Sequence, residues 1–284
     1  MILVTGATGN NGSAAVARLA ALGAPVRALA RDAARAAGRL PAGVEVVEGD
    51  LAEAETLARA LDGCDHLYLI LPVHERALEY VGRAVDAARA AGVQHVVRLS
   101  AAGADPEAPL TLLRQHGSAD RLLTDSGLGW TILRPGSFFQ NLLMSAGFIR
   151  DAGEFYLPMR DARLAMIDTR DVADVAARTL TAPGHMGKSY HLTGPEAVSY
   201  QQVAEHLSEL LGRPIHYVDV PPQAFLEGML DSGVPRWDAE AISELFALVA
   251  GSGVQDVSDV VENVLGRPPR GLDRFLRDHL DAFR

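Results

Sequence analysis

One lysine, Lys188, stands among the 284 residues, against twenty-five arginines. The residue four before it is Gly184, so the chain has no Tyr-x-x-x-Lys pair. In such a pair the lysine lowers the phenol's pKa so that the tyrosine can exchange a proton with a carbonyl group. Cysteine is equally scarce. Cys64 alone excludes an intramolecular disulfide or a thiolate zinc site, and beside Asp65 it reads as a small buried apolar residue. The nine histidines form no H-x-x-x-H pair with an acid at ligand spacing, so no metal is expected. No apolar run approaches the roughly 20 residues that span a bilayer, and no charged segment with an apolar stretch precedes the first strand, which makes the expected location the cytoplasm. A net charge of −10 without any arginine-rich block argues against a phosphate-backbone partner.

What the chain does contain is a core: 48% of its residues are apolar. Residues 1 to 12 read Met-Ile-Leu-Val-Thr-Gly-Ala-Thr-Gly-Asn-Asn-Gly, an apolar strand running into glycines at 6, 9 and 12 and then into the alanine-rich segment Ser13 to Leu22. A buried parallel strand, a glycine turn and a helix N-terminus together form a phosphate-binding βα unit, here spaced GxxGxxG. Thr8, Asn10 and Asn11 add polar side chains at the turn, as phosphate contacts or as helix caps.

Strand-like runs follow at Val26 to Ala30, Val44 to Val47, Leu67 to Leu71, Val96 to Leu99 and Thr131 to Leu133. Helical segments lie between them at Asp32 to Gly38, Glu53 to Leu61, Arg76 to Ala91 and Ala119 to Ser126. Strands alternating with helices predict a parallel sheet covered on both faces with right-handed crossovers. After residue 150 the pattern is irregular, resuming with a helix at Asp171 to Leu180 and a strand at Ser189 to Leu192. Ser199 to Gln202 reads as a capping box opening a helix that Gly212-Arg213-Pro214 stops. Helical pieces follow at Pro222 to Leu230, Ala239 to Leu248, Val257 to Val264 and Leu272 to Phe283. The predicted fold class is therefore α/β: a Rossmann-type doubly wound parallel sheet over residues 1–150, with a returning segment at about 169–195. A smaller, mainly helical C-terminal cap domain over 196–284 is expected to pack over the carboxyl ends of the strands, where such sheets bind ligands.

Beyond the glycines, the second strand ends Leu29-Ala30-Arg31-Asp32. An acid there would bond the adenosine ribose, whereas an arginine fork pairs with a 2′-phosphate. Arg31 thus favours NADP(H) over NAD(H), and a register shift of one residue, bringing Asp32 into its place, would reverse the preference. Asp50, in Glu48-Gly49-Asp50-Leu51, is placed either for the adenine edge or as a turn aspartate. Leu51, Leu71, Pro72 and Pro135, at strand ends, complete the expected cofactor wall. Ser100 ends the fifth strand where cofactor and substrate would meet, or caps a loop.

Val4-Thr5-Gly6-Ala7-Thr8-Gly9-Asn10-Asn11-Gly12, Arg27-Ala28-Leu29-Ala30-Arg31, Glu48-Gly49-Asp50, Ile132-Leu133-Arg134-Pro135-Gly136, Asp171-Val172-Ala173 and Leu192-Thr193-Gly194-Pro195 resemble the NmrA-like family of atypical short-chain dehydrogenases. The resemblance runs nearly end to end, to Gly266-Arg267-Pro268-Pro269 and the final helix. It implies a family that includes type-2 NADPH:quinone oxidoreductases, triphenylmethane reductase and regulators that bind the dinucleotide without reducing anything. In its reductases a histidine followed four residues later by an acid stands near the place of the missing pair, and His116-Gly117-Ser118-Ala119-Asp120 matches, with aspartate for the commoner glutamate.

The function expected is hydride transfer from NAD(P)H to a quinone or other planar conjugated acceptor. The protein would act as monomer or homodimer, with His116 and Ser100 as candidate hydrogen-bond or proton donors. Phe138, Phe139 and Asn141 are the expected acceptor contacts, the rings stacking a flat substrate or simply packing against the cap. A non-catalytic NADP(H) sensor and a reductase or isomerase of natural-product biosynthesis are the alternatives.

Overall fold

Short apolar runs with flanking glycines become strands, and amphipathic alanine-rich segments become the helices that cover them. The computed structural model describes residues 1–284. In chain order it runs β1 (Ile2–Val4), α1 (Asn10–Ala21), β2 (Val26–Ala30), α2 (Ala33–Ala37), β3 (Glu45–Glu48), α3 (Ala54–Leu61), β4 (His66–Leu69), α4 (Ala77–Ala90), β5 (His95–Leu99), α5 (Thr111–Thr124) and β6 (Gly129–Pro135). A 3-10 segment, Phe139–Ser145, leads to α6 (Ala146–Ala152), β7 (Glu154–Leu157), α7 (Thr169–Thr181) and β8 (Lys188–Leu192). The remainder is α8 (Tyr200–Leu211), β9 (His216–Asp219), α9 (Pro222–Asp231), α10 (Arg236–Gly251), α11 (Val260–Leu265), α12 (Leu272–Asp278) and α13 (Leu280–Phe283).

The first unit comprises residues 1–109, 113–135 and 169–192. Its seven strands pair in the order β3-β2-β1-β4-β5-β6-β8, all in parallel. Strand order reverses between β1 and β4, which makes their carboxyl ends the switch point where open α/β sheets bind ligands. Thr5 joins those ends: its Oγ1 donates to the Ile70 carbonyl at 2.8 Å and accepts from the Ile70 amide at 2.8 Å. On one face Leu3, Leu67, Leu69 and Val96 share a core with residues of α3, α4 and α5, while α1 packs on α7. The predicted doubly wound sheet is what forms.

The second unit comprises residues 110–112, 136–168 and 193–284. Phe139, Leu142, Ile149, Phe155 and Met159 enter its core with Tyr200, Val203, Leu207, Phe275 and Phe283. That burial assigns 136–150 to this unit, although the sequence pattern grouped it with the sheet. β7 and β9 pair in parallel and were not legible, each being four residues long and only partly buried. The capping box is present: the Gln202 amide donates to Ser199 Oγ at 3.2 Å and the Ser199 amide donates to Gln202 Oε1 at 3.0 Å. Gly194 is required because a methyl group there would sit 2.0 Å from the Met166 carbonyl oxygen. No helix is long and apolar enough to cross a membrane.

At the amino-terminal edge of the seven-stranded sheet His95, 3% exposed, meets Thr131 Oγ1 through Nε2 at 2.8 Å, and that hydroxyl donates to the His185 carbonyl at 2.8 Å. The threonine proton is therefore committed, and His95 is the donor. Burial first, then the neighbouring His66 and His185, holds this imidazole down at about 4. Its folded pKa lies below the unfolded value, so the unfolded chain binds more protons between about pH 6.5 and 4, and stability falls as pH falls through that window. From pH 7 to 5 this site should cost roughly 2 kcal/mol, read as a lower urea midpoint. His95→Gln keeps a donor and cannot titrate, so it should remove that part of the loss; an unchanged pH dependence would assign it elsewhere.

Candidate active site

The glycine turn sits at the switch point, between β1 and α1. Gly6 has φ of +58°, a left-handed conformation that only glycine adopts without strain. A methyl group on Gly12 would stand 2.1 Å from the Gly6 carbonyl oxygen, so a bare Cα is what lets the helix close onto the turn. Gly6, Thr8, Gly9 and Asn10 are exposed. The N-cap of α1, Gly9, has no side-chain cap, and the first turn carries no acid, so its amide groups and positive dipole end face outward uncompensated. Asn11 Oδ1 is buried without a hydrogen-bond partner. An anion-accepting helix end, a cradle that a Cβ would fill and an orphaned buried acceptor together fit a dinucleotide.

At the ends of β2 and β3 the polar residues divide their roles. Asp32 is the N-cap of α2, its Oδ1 accepting from the Arg35 amide at 2.9 Å. Arg31 is exposed. Asp50 Oδ1 accepts from the Ala52 amide at 2.8 Å, the turn role among the two expected for it.

A charged cluster lies beyond the carboxyl ends of β5 and β6. The register pairs Arg98 with Ile132, and the Ser100 amide donates to the Leu133 carbonyl at 2.7 Å. Period-two alternation then sets Arg98, Ser100 and Arg134 on one face. Opposite them, α5 presents His116 and Asp120, four residues apart and one turn from each other. Asp120 is 4% exposed in its side chain and Arg98 3%. Arg98 Nη1 is hydrogen-bonded to Asp120 Oδ1. Three donors converge on Oδ2: Ser100 Oγ at 2.9 Å, Arg134 Nη2 at 2.8 Å and Arg134 Nε at 3.1 Å. Arg98 Nη2 lies 3.3 Å from His116 Nδ1. Burial, reinforced by the Arg98 cation, lowers the His116 imidazole to about 3, so it is neutral at physiological pH.

Sequence reasoning selected His116 and Ser100, and the fold brings them together through Asp120 and Arg98. Arg98 was missed, although a charge inside the strand run His95-Val-Val-Arg-Leu99 is a signal, since a buried cation requires a partner. α5 begins at Thr111, eight residues before the expected start, and contains within it Gly117. Its missing side chain lets the helix lie on the Asp105–Pro106 loop, where a methyl group would come within 2.1 Å of the Asp105 carbonyl carbon. Phe139 is a correction: it is fully buried in the second unit's core, 5.4 Å from Phe275 ring to ring, and cannot stack an acceptor. Phe138 is half-buried and Asn141 exposed. Leu51 and Leu71 are half-buried, Pro72 is exposed and Pro135 is buried.

A glycine turn at the switch point of a parallel doubly wound sheet defines a dinucleotide-binding α/β protein. The chain belongs to the NmrA-like family, whose model matches residues 1–276. It is 40% identical over 283 residues to an NAD(P)H azoreductase of Xenophilus azovorans, covering 100% of this chain and 99% of the relative. It is 37% identical over 284 residues to the (4-alkanoyl-5-oxo-2,5-dihydrofuran-3-yl)methyl phosphate reductase of Streptomyces griseus, covering 100% and 99%. The crystal structure of an NADPH-dependent quinone oxidoreductase from Escherichia coli, complexed with NADPH, matches with a TM-score of 0.87 at 28% identity over 99% of this chain and 100% of that one.

Gly12→Ala tests the cradle. Overpacking against Gly6 should lower stability by about 1–3 kcal/mol and weaken dinucleotide binding at least about tenfold, measured by thermal melting with and without NADPH. Wild-type affinity in this variant would contradict the placement of the phosphates.

Proposed function

We propose that this NAD(P)H-dependent oxidoreductase uses NADPH to reduce planar conjugated acceptors, quinones and azo dyes among them. The observation that carries the reading is the uncapped helix end at the sheet's switch point, followed in the same unit by a charged cluster that holds a neutral histidine. NADPH, when bound, supplies a hydride. The chain's part is to bind and orient the cofactor and to hydrogen-bond the acceptor, and it has no tyrosine–lysine pair with which to protonate a simple ketone. Acceptors whose reduced anion is delocalised need only such a hydrogen bond. Relatives that reduce azo compounds and quinones support this class.

Preference for NADPH rests on Arg31. With the Asp32 carboxylate committed to the α2 cap, the exposed guanidinium beside it is the group available to a 2′-phosphate. A second reading, reduction of an unsaturated lactone, is favoured by the 37% identity to the dihydrofuranyl phosphate reductase over the full chain.

Mixing the protein with NADPH and a panel of quinones, azo dyes and unsaturated lactones, and following the absorbance of the reduced nicotinamide, tests the activity. Consumption above the uncatalysed rate is expected with the first two classes. Tight NADPH binding with no consumption across the panel would make the protein a sensor instead. Arg31→Ser should raise the Kd for NADPH about ten- to a hundredfold and leave that for NADH nearly unchanged, by titration calorimetry. Equal losses for both would contradict the 2′-phosphate role.

A further inference from the structure

We propose that Arg98, held in place by Asp120, positions His116 as a fixed Nε2–H tautomer, so that His116 serves the acceptor as a neutral hydrogen-bond donor and never as an acid. Arginine has donors only, so a contact of 3.3 Å between Arg98 Nη2 and His116 Nδ1 makes Nδ1 the acceptor and puts the single imidazole proton on Nε2. Nε2 makes no hydrogen bond within the chain, and it is not among the fully buried unpartnered polar atoms. Its N–H therefore remains available to a ligand.

The same network decides the role of Ser100. Its hydroxyl donates to Asp120 Oδ2 at 2.9 Å, and Asp120 accepts besides from Arg98 on one oxygen and Arg134 on the other, so the hydroxyl hydrogen is committed. Ser100 is left with lone pairs, an acceptor for a ribose hydroxyl or a bound water. Of the two candidate donors in the cluster, only His116 has a hydrogen to offer.

The charged groups around the ring agree. β5 contributes the Arg98 cation, β6 the Arg134 cation and α5 the Asp120 carboxylate that both share. The loop packed on Gly117 contributes Asp105, whose Oδ1 is occupied by the Glu107 amide at 2.7 Å. Burial first, and then the Arg98 cation against Nδ1, oppose protonation of His116 and hold its imidazole at about 3.

The proposal rests on the reductase reading for its catalytic meaning. The acceptor gains a hydride as the dinucleotide is oxidised. His116 Nε2–H hydrogen-bonds the oxygen or nitrogen on which negative charge develops, and the neutralising proton comes from water. His116 finishes with the proton it began with.

Imidazole nitrogen NMR on protein labelled with ¹⁵N-histidine, the His116 signals assigned by their loss in His116→Gln, reads the lock without any substrate. Wild type should show one neutral Nε2–H tautomer that does not titrate between pH 8 and 5. An Nδ1–H tautomer, or titration near the ordinary histidine value, would overturn the lock whatever the enzyme reduces. Arg98→Gln should mix the tautomers and raise the pKa, introducing an acid limb into a kcat profile that is flat in wild type; if this variant does not fold, the wild-type spectrum still decides. His116→Gln, which keeps an N–H donor, should retain most of kcat, whereas His116→Ala should lose about ten- to thirtyfold. Equal losses in both would make His116 an acid, and no loss in either would remove it from the acceptor site.

Discussion

The Asp120 carboxylate receives four hydrogen bonds from three residues, and the carboxyl end of β5 and β6 is arranged around it. Two arginines cannot lie against the same helix face of a sheet without an anion between them, because an unpaired buried guanidinium costs several kcal/mol. Asp120 supplies that anion from α5 and in doing so fixes the helix against the strands. Gly117 allows the approach on the loop side, since any larger residue would drive α5 away from Asp105 and Pro106. Packing and electrostatics meet in a single turn of helix, which also carries His116.

The cofactor end obeys a separate constraint. Parallel strands with helices on both faces leave a crevice where the strand order reverses, and β1 and β4 form that crevice here. Three glycines let α1 start immediately above it with its amide groups unpaired. Asp32 caps the start of the neighbouring helix α2, leaving Arg31 as the charged residue at the end of β2. On the proposed reading, cofactor binding rests on backbone geometry and one cation, whereas the chemistry beside β5 and β6 rests on side chains. The first was visible in the sequence because glycine spacing is local. Of the second, His116, Ser100 and the acid at 120 were singled out, but not their junction with Arg98 and Arg134, which the fold alone makes.

Other elements show the same division. The capping box at Ser199 and the sheet strands were legible, since four residues with a local pattern determine each. The sequence pattern placed only Ala119 to Ser126 of α5 in a helix, and the close Asp105–Pro106 loop explains the glycine at 117 inside it. Phe139, read from its place after β6 as a substrate contact or a packing residue, opens the 3-10 segment and packs in the second unit beside Phe275. β7 and β9, four residues apiece, pair across about sixty positions of sequence and leave no periodic trace.

The central claim is that the dinucleotide lies along the sheet's carboxyl edge with its reactive end at the Asp120 cluster. A crystal structure of the protein with NADPH bound tests it most directly. The pyrophosphate should rest on the amides of Asn10 to Gly12, and the nicotinamide ribose or ring should come within hydrogen-bond distance of Ser100 Oγ or His116 Nε2. A nicotinamide directed away from the ends of β5 and β6, with the cluster untouched, would contradict the account.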